Sequence, residues 1–224
     1  MKVRTILSLI VVMVVALPLS SWGQALFDIN SIKTEPSRLF PIISETDIIG
    51  SPDDAIQIST IKKIKDRCLS RMPDRFTPSA LQDYCSCSAA STQGTMTVGE
   101  LRKLQNDENR KLGNPIFEKY VENVMTPCME FPIEEIEYMF CISSQTIDWR
   151  IKLPVPFCKC RARGIKDYFK ENGLQDMMVS WGQPKKYGDE DPTTLLWKNS
   201  NFLNAREATK ESCVGNYLEP KYYK

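Results

Sequence analysis

Eight cysteines fall into two sets that share one spacing, and no other feature of this chain restricts its fold so strongly. Cys68, Cys85 and Cys87 are followed by Cys128; Cys141, Cys158 and Cys160 are followed by Cys213. The first step is 17 residues in both sets (85 − 68 and 158 − 141), and a Cys-x-Cys comes next each time. An even count at matched spacing reads as a disulfide framework. Two sets in one order read as two tandem copies of a stapled unit.

The flanking residues support the duplication. An aromatic residue precedes each Cys-x-Cys (Tyr84, Phe157), and an alanine follows at the same offset (Ala89, Ala162). Leu101 and Leu174 stand equally far past the third cysteine, with Leu104 and Met177 one helical turn further on. Apolar matches at helical spacing are what the core positions of a repeated helical unit require. The copies diverge before the fourth cysteine, where the surplus of the second falls in a loop insertion near 183–193, rich in proline, glycine and charge.

Residues 1–23 have the three-part layout of a secretory signal peptide. Lys2 and Arg4 lead into an apolar stretch from Ile6 to Leu17, which Pro18 ends. Ser21 and Gly23 fit cleavage before Gln24; Gly23 and Ala25 fit a cut before Leu26. The apolar stretch falls short of the roughly 20 residues a membrane span needs, and the cleavage region holds no cysteine for a lipid anchor. The chain is therefore expected in the periplasm or outside the cell, with no stable membrane insertion after cleavage. Absence of any Asn-x-Ser/Thr acceptor leans toward a bacterial source. Oxidising compartments keep paired cysteines as disulfides.

Cleavage takes Lys2 and Arg4 from 29 basic residues set against 28 acidic ones, so the mature chain is close to neutral. Nucleic acid and anionic membrane depend on a basic excess and are excluded as main partners. The chain contains no histidine, which removes Ser-His, Cys-His and His-zinc chemistry. Its 42% apolar content supports a packed core.

Helix signals dominate, so the expected class is all-α. Ser51-Pro52-Asp53-Asp54 reads as an N-cap and acidic first turn, ahead of Ile61, Ile64 and Cys68. Thr77-Pro78 opens a second helix. Thr97 and Glu100 form a capping box, with Met96 and Leu101 at staple spacing. Asn114-Pro115 opens a helix ending near Cys128, and Pro132 another, through Ile142. Leu153-Pro154-Val155-Pro156 reads as extended. A helix through Ala162 and Phe169 is expected to stop at Gly173, a short one to follow from Leu174 to Trp181, and the last to run from Asn201 to Cys213. The expected layout is a flexible or surface-draped arm at 24–50, copy 1 at 51–130, copy 2 at 131–216 and a tail at 217–224. The short join between Cys128 and Cys141 favours a shared core.

Residues i and i+2 of an α-helix point about 200° apart. Cys85 and Cys87 therefore cannot both face one neighbour or bond each other. One should reach the preceding helix and one the following, with Cys68 and Cys128 as partners; Cys141 and Cys213 serve Cys158 and Cys160 likewise. The position of Cys68 beside the hairpin turn favours Cys68–Cys85 over Cys68–Cys87. The rival readings are a redox-active dithiol and a copper or zinc thiolate site. Lys159 and Arg161 could stabilise thiolates at Cys158 and Cys160, but Ser86 and Ser88 hold those places in the other copy.

Weaker motifs have bland explanations. Ser59-Thr60-Ile61-Lys62 matches the Ser-x-x-Lys pattern of serine β-lactamases without the companion motifs. Glu134, Glu135 and Glu137 read as a solvated helix face, Asp189-Glu190-Asp191 as an acidic loop, and Lys221-Tyr222-Tyr223-Lys224 as a frayed tail. The function expected is that of a non-catalytic exported protein-binding or assembly factor, without cofactor, whose partner is another protein. Its arm, loop insertion and tail are attachments where recognition could sit. The alternative is a thiol-redox protein or a copper or zinc carrier working through the Cys-x-Cys pairs.

Overall fold

Seven α-helices account for most of residues 43–73, 75–144, 151, 153–182 and 196–217, the residues described in this computed structural model. They are α1 (Ile58–Leu69), α2 (Pro78–Thr95), α3 (Val98–Leu104), α4 (Pro115–Tyr120), α5 (Thr126–Ser143), α6 (Pro154–Gly182) and α7 (Ser200–Tyr217). Among the described residues there is no strand; Ala55 and Thr97 form an isolated bridge. No described helix is long and apolar enough to cross a membrane.

Several starts lie where the caps place them. The Thr77 side chain accepts from Ala80 N at 3.1 Å, with Pro78 in the first turn of α2. Thr97 and Glu100 complete the capping box of α3, and Asn114 accepts from Ile116 N and Phe117 N to open α4. Each cap satisfies amides that a helix start otherwise leaves unpaired.

Other boundaries differ from the sequence expectation, each for a local reason. Ser51–Asp54 is a turn and not the start of α1, which begins at Ile58. The turn closes on itself through Ser51 N to Asp54 Oδ2 at 2.6 Å. Its carbonyls at Pro52 and Asp54 then accept from Gly99 N and Val98 N, serving as the backbone cap of α3. Leu153–Pro156 is not extended throughout, because α6 starts at Pro154. Both prolines fall in the first turn, where a missing N–H forfeits no helical bond.

The helix expected to end near Cys128 and the one expected from Pro132 are a single run. α4 passes through a π turn (Val121–Met125) directly into α5, with Thr126 N–H bonding Val121 O. The next residue is Pro127, which has no N–H to continue the ladder, and the π turn absorbs that break. Pro132 lies inside α5. Gly173 does not stop α6; a Cβ there would lie 2.7 Å from the Phe169 ring, so the glycine admits that ring within a continuous helix.

The main core spans both cysteine sets. Ile64, Tyr84, Leu101, Phe117, Val124 and Ile133 belong to one cluster with Ile165, Phe169, Met177 and Phe202. Phe117 on α4 meets Trp181 near the end of α6 edge-on, with ring centroids 4.6 Å apart. A satellite cluster gathers Ile151 and Phe157 around Cys141, Cys158 and Cys213.

Part of the expected arm is fixed on this body. Ile43 and Ile48 are buried, Thr60 Oγ1 donates to Asp47 O, and Arg102 Nη2 donates to the carbonyls of Ile48 and Gly50 at 2.8 and 2.9 Å. Of the two expectations for the arm, flexible or surface-draped, buried apolar side chains and paired carbonyls favour the draped one for residues 43–50. The leader expected at 1–23 and the rest of the expected arm, through residue 42, lie outside the described residues, as do the loop insertion expected near 183–193 and the residues beyond Tyr217.

Candidate functional site

All eight cysteines are paired, in one serial pattern. Cys68–Cys85 joins α1 to α2, Cys87–Cys128 joins α2 to α5, Cys141–Cys158 joins α5 to α6, and Cys160–Cys213 joins α6 to α7. Cα separations of 5.7, 5.5, 5.5 and 6.0 Å lie in the range a disulfide requires. Each Cys-x-Cys helix is held on two sides because its cysteines leave the axis in opposed directions. α5 is held twice as well, through Cys128 and Cys141 near its two ends.

The helices joined by the second set of bridges also share a charged cluster. Glu137, on α5, is wholly buried (0% exposed). Its Oε1 accepts from Trp197 Nε1 at 3.1 Å and sits 2.7 Å from Arg206 Nε; Oε2 is 3.4 Å from Arg161 Nη2. Arg161 comes from α6 and Arg206 from α7, and both side chains are largely buried. Burial holds the Arg161 guanidinium below its ordinary pKa and Arg206 pushes the same way, while Glu137 and Glu207 oppose them. One buried carboxylate thus faces two buried cations.

The Phe140 ring lies one helical turn from Glu137 and remains 45% exposed. Guanidinium carbons of Arg206, Arg75 and Arg161 stand 5.0, 5.9 and 6.0 Å from its centroid, within cation–π range. Arg75 also lies 5.8 Å from the Trp197 ring. It occupies the α1–α2 turn at φ 70°, a left-handed conformation costing a non-glycine residue roughly 1 kcal/mol. That turn is tied to α5 by Thr77, whose hydroxyl donates to Glu135. Among the described residues, buried Arg206 Nη2 and Arg161 Nε have no hydrogen-bond partner. Cluster and bridges share segments: Phe140 precedes Cys141, and Arg161 follows Cys160.

The acidic trio expected as a solvated face is therefore three engaged side chains. Glu134 pairs with Lys166 at 2.7 Å, Glu135 accepts from Thr77, and Glu137 is the counter-ion of two arginines. Nor does Arg161 serve a thiolate, since its guanidinium goes to Glu137 while Cys158 and Cys160 are both bridged. Ser59 and Lys62 are exposed on α1, with Thr60 buried between them. Asp189–Asp191 and Lys221–Lys224 lie outside the described residues. The sequence reading missed Arg75, Phe140, Trp197 and Arg206. One signal was available: Ile133, Glu137 and Cys141 follow one another at i+4, which sets Glu137 on the buried stripe.

A second polar network joins α6 to α7 beside a groove of about 570 Å³ lined by Tyr168, Asn172, Gln175, Asp176, Asn201 and Asn204. Tyr168 OH donates to Asp176 Oδ2 at 2.9 Å. Burial pushes the Asp176 carboxyl up, while hydrogen bonds from Tyr168 and Asn201 restrain it. Burial and that carboxylate push the Tyr168 phenol up to about 12. Asn199 donates to Asp176 O and Ser180 Oγ while capping α7 through Asn201 N and Phe202 N. The network locks the start of α7 onto α6.

No protein-family model matches this chain, and no curated protein or solved structure matches it either.

Proposed function

We propose that the protein is a non-catalytic, exported docking body: a helical framework clamped by disulfides after secretion, which presents a fixed face to another protein in the periplasm or extracellular space. On this reading residues 1–23 are the leader, and the two cysteine sets are tandem copies of one stapled unit. The observation that carries it is the serial bridging of α1, α2, α5, α6 and α7, which leaves no cysteine free. The four bridged loops are disjoint in sequence, so each removes its own share of unfolded-state entropy, about 3 to 4 kcal/mol in the chain-entropy account. A surface held this rigidly loses little conformational freedom on docking.

Accessibility also favours a scaffold over thiol exchange. Six of the cysteines, Cys68, Cys85, Cys128, Cys141, Cys158 and Cys213, are no more than 3% exposed, and exchange requires an attackable sulfur. The deciding experiment equilibrates the natively exported protein with glutathione buffers and alkylates the thiols that appear. Structural bridges would resist the cytosolic glutathione poise and open together with unfolding. Selective reduction of one Cys-x-Cys bridge in the folded protein, or copper or zinc bound stoichiometrically to the thiols released, would transfer the case to the redox or metal-carrier reading.

A further inference from the structure

We infer that the groove between α6 and α7 is a lysine site of that docking face. The ammonium group of a lysine on the protein partner would meet Asp176, and its methylene stem would lie along α7. This rests on the docking-body reading and names the chemistry of its partner.

Charge selects the occupant. Asp176 is 1% exposed and lines the groove, whose volume of about 570 Å³ falls within the range of small-ligand sites, about 300–1,000 Å³. Burial and the hydrogen bonds from Tyr168 and Asn201 govern its carboxyl, and among the described residues no lysine or arginine acts on it. No described lysine or arginine lines the groove either. The first turn of α7 brings only the partial positive charge of a helix start. A carboxylate buried without a counter-ion is costly, and a cation entering the groove relieves that cost.

Hydrogen bonding agrees with charge. Tyr168 OH donates to Asp176 Oδ2 at 2.9 Å, the Asn172 amide donates to Tyr168 O at 3.0 Å, and Asn201 donates to Asp176. Three lining side chains thus commit donors within the protein and keep oxygen lone pairs in reserve. An ammonium group, all donor and no acceptor, complements that set. A sugar hydroxyl accepts as well as donates and would leave the carboxylate charge unmet.

The shape of the groove suits the stem. The two helices run antiparallel: Cys160 near the start of α6 bridges Cys213 near the end of α7, and Asn199, which caps α7, donates to Asp176 O. Asp176 and Asn201 therefore form one end of the groove. Thr209 forms the other, beside Gly164, where α6 and α7 close together. Ala205 and Ala208 line the stretch between, along about 10 Å of helix. Methylenes of a lysine cover apolar surface of this kind while the charge reaches a polar group. Gln175 and Asn204 line the same groove at exposed positions, where their amides can bond a peptide backbone. That second contact favours a lysine carried on a protein over a free amine.

The test uses the oxidised, natively exported protein, isotopically labelled so that NMR follows the Asp176 carboxyl carbon and the Asn172 and Asn201 side-chain amides. The probe is a capped Ala-Lys-Ala peptide, compared with its norleucine version, which keeps the stem and lacks the charge, and with n-butylammonium chloride. The inference predicts saturable shifts with a Kd of about 1 mM, weakened by salt. The norleucine peptide should bind at least about tenfold more weakly. Asn204→Ala should weaken the lysine peptide severalfold and leave butylammonium binding unchanged. Asp176→Asn should abolish the response; because Asp176 also ties α7 to α6, Ala208→Leu provides the second variant. Filling the groove from that exposed position should weaken the peptide by about tenfold with melting temperature unchanged. Equal binding of the norleucine peptide, no shift with any probe, or full binding to Ala208→Leu overturns the inference. Butylammonium binding as tightly as the peptide, with no effect of Asn204→Ala, also overturns it and leaves a small-amine site. Intact bridges without lysine binding would refute this inference alone, whereas free thiols in the exported protein would refute the docking-body reading itself.

Discussion

Glu137→Gln removes one charge and almost no volume, so it isolates what the buried carboxylate does for the fold. Trp197 Nε1 can still donate to the amide oxygen, because the contact at 3.1 Å needs only an acceptor. What disappears is attraction to two guanidinium groups whose nitrogens lie 2.7 and 3.4 Å away. At an effective dielectric near 20 these separations correspond to about 6 and 5 kcal/mol of gross attraction. The carboxylate also surrenders several kcal/mol of hydration on burial, and the variant escapes that cost. Two cations then remain without their counter-ion, with side chains only 13% and 12% exposed. A net loss of about 3 to 5 kcal/mol follows, equivalent to a melting temperature lower by on the order of 10 °C.

The assay is urea unfolding with the bridges intact, followed by tryptophan fluorescence and far-ultraviolet circular dichroism. Glu134→Gln is the matched control: its Lys166 partner is 2.7 Å away, but the pair is 25% and 39% exposed, so the loss should stay within about 1 kcal/mol. If the two variants unfold within 1 kcal/mol of each other, the central role given to Glu137 is wrong. Replacing Glu137, Arg161 and Arg206 together by leucine or methionine should recover most of the loss, as buried ion clusters often permit.

Three further outcomes are expected. Gly164→Ala sets a Cβ 2.4 Å from Thr209 Cγ2, so it should separate α6 from α7 and destabilise by about 1 to 3 kcal/mol; a double-mutant cycle with Thr209→Ser, which removes that methyl, should recover most of it. In alkaline spectrophotometric titration Tyr168 should stay protonated until about pH 12. Its raised folded pKa means the associated stability is complete below the ordinary tyrosine range and is lost as pH climbs toward that value; Tyr168→Phe should abolish this dependence. Burial pushes the Glu100 carboxyl up, but Lys119 and the Thr97 amide more than offset it and hold the group below the ordinary value. The resulting stability exists above the unfolded carboxylate pKa and is lost as pH falls through the folded one, so Glu100→Gln should flatten the acid limb of the unfolding midpoint.

The elements legible in the sequence were those with local causes. Caps at Thr77, Thr97 and Asn114 act through atoms within three residues, so they could be read before any tertiary contact was known. The opposed directions of neighbouring cysteines are equally local, which is why Cys68 and Cys128 could be named together as the partners of Cys85 and Cys87, while the choice of Cys68–Cys85 rested on the turn beside Cys68. Misreadings occurred where a distant neighbour decided. Gly173 looks like a stop until the Phe169 ring is known to lie against it, and Ser51–Asp54 looks like a helix start until its carbonyls are seen to cap α3. Pro132 looks like a beginning, whereas α5 carries it between the bridges at Cys128 and Cys141. The cluster was hidden for the same reason. Arg75, Arg161 and Arg206 share no sequence neighbourhood, and only folding brings them to one ring.

The most direct measurement is a non-reducing peptide map of the protein recovered from the medium or periplasm, with free thiols alkylated at lysis. The account predicts four linked peptide pairs, Cys68–Cys85, Cys87–Cys128, Cys141–Cys158 and Cys160–Cys213, no alkylated cysteine, and an amino terminus at Gln24 or Leu26. A bridge joining a cysteine of the first set to one of the second, or alkylation at any Cys-x-Cys, would contradict it.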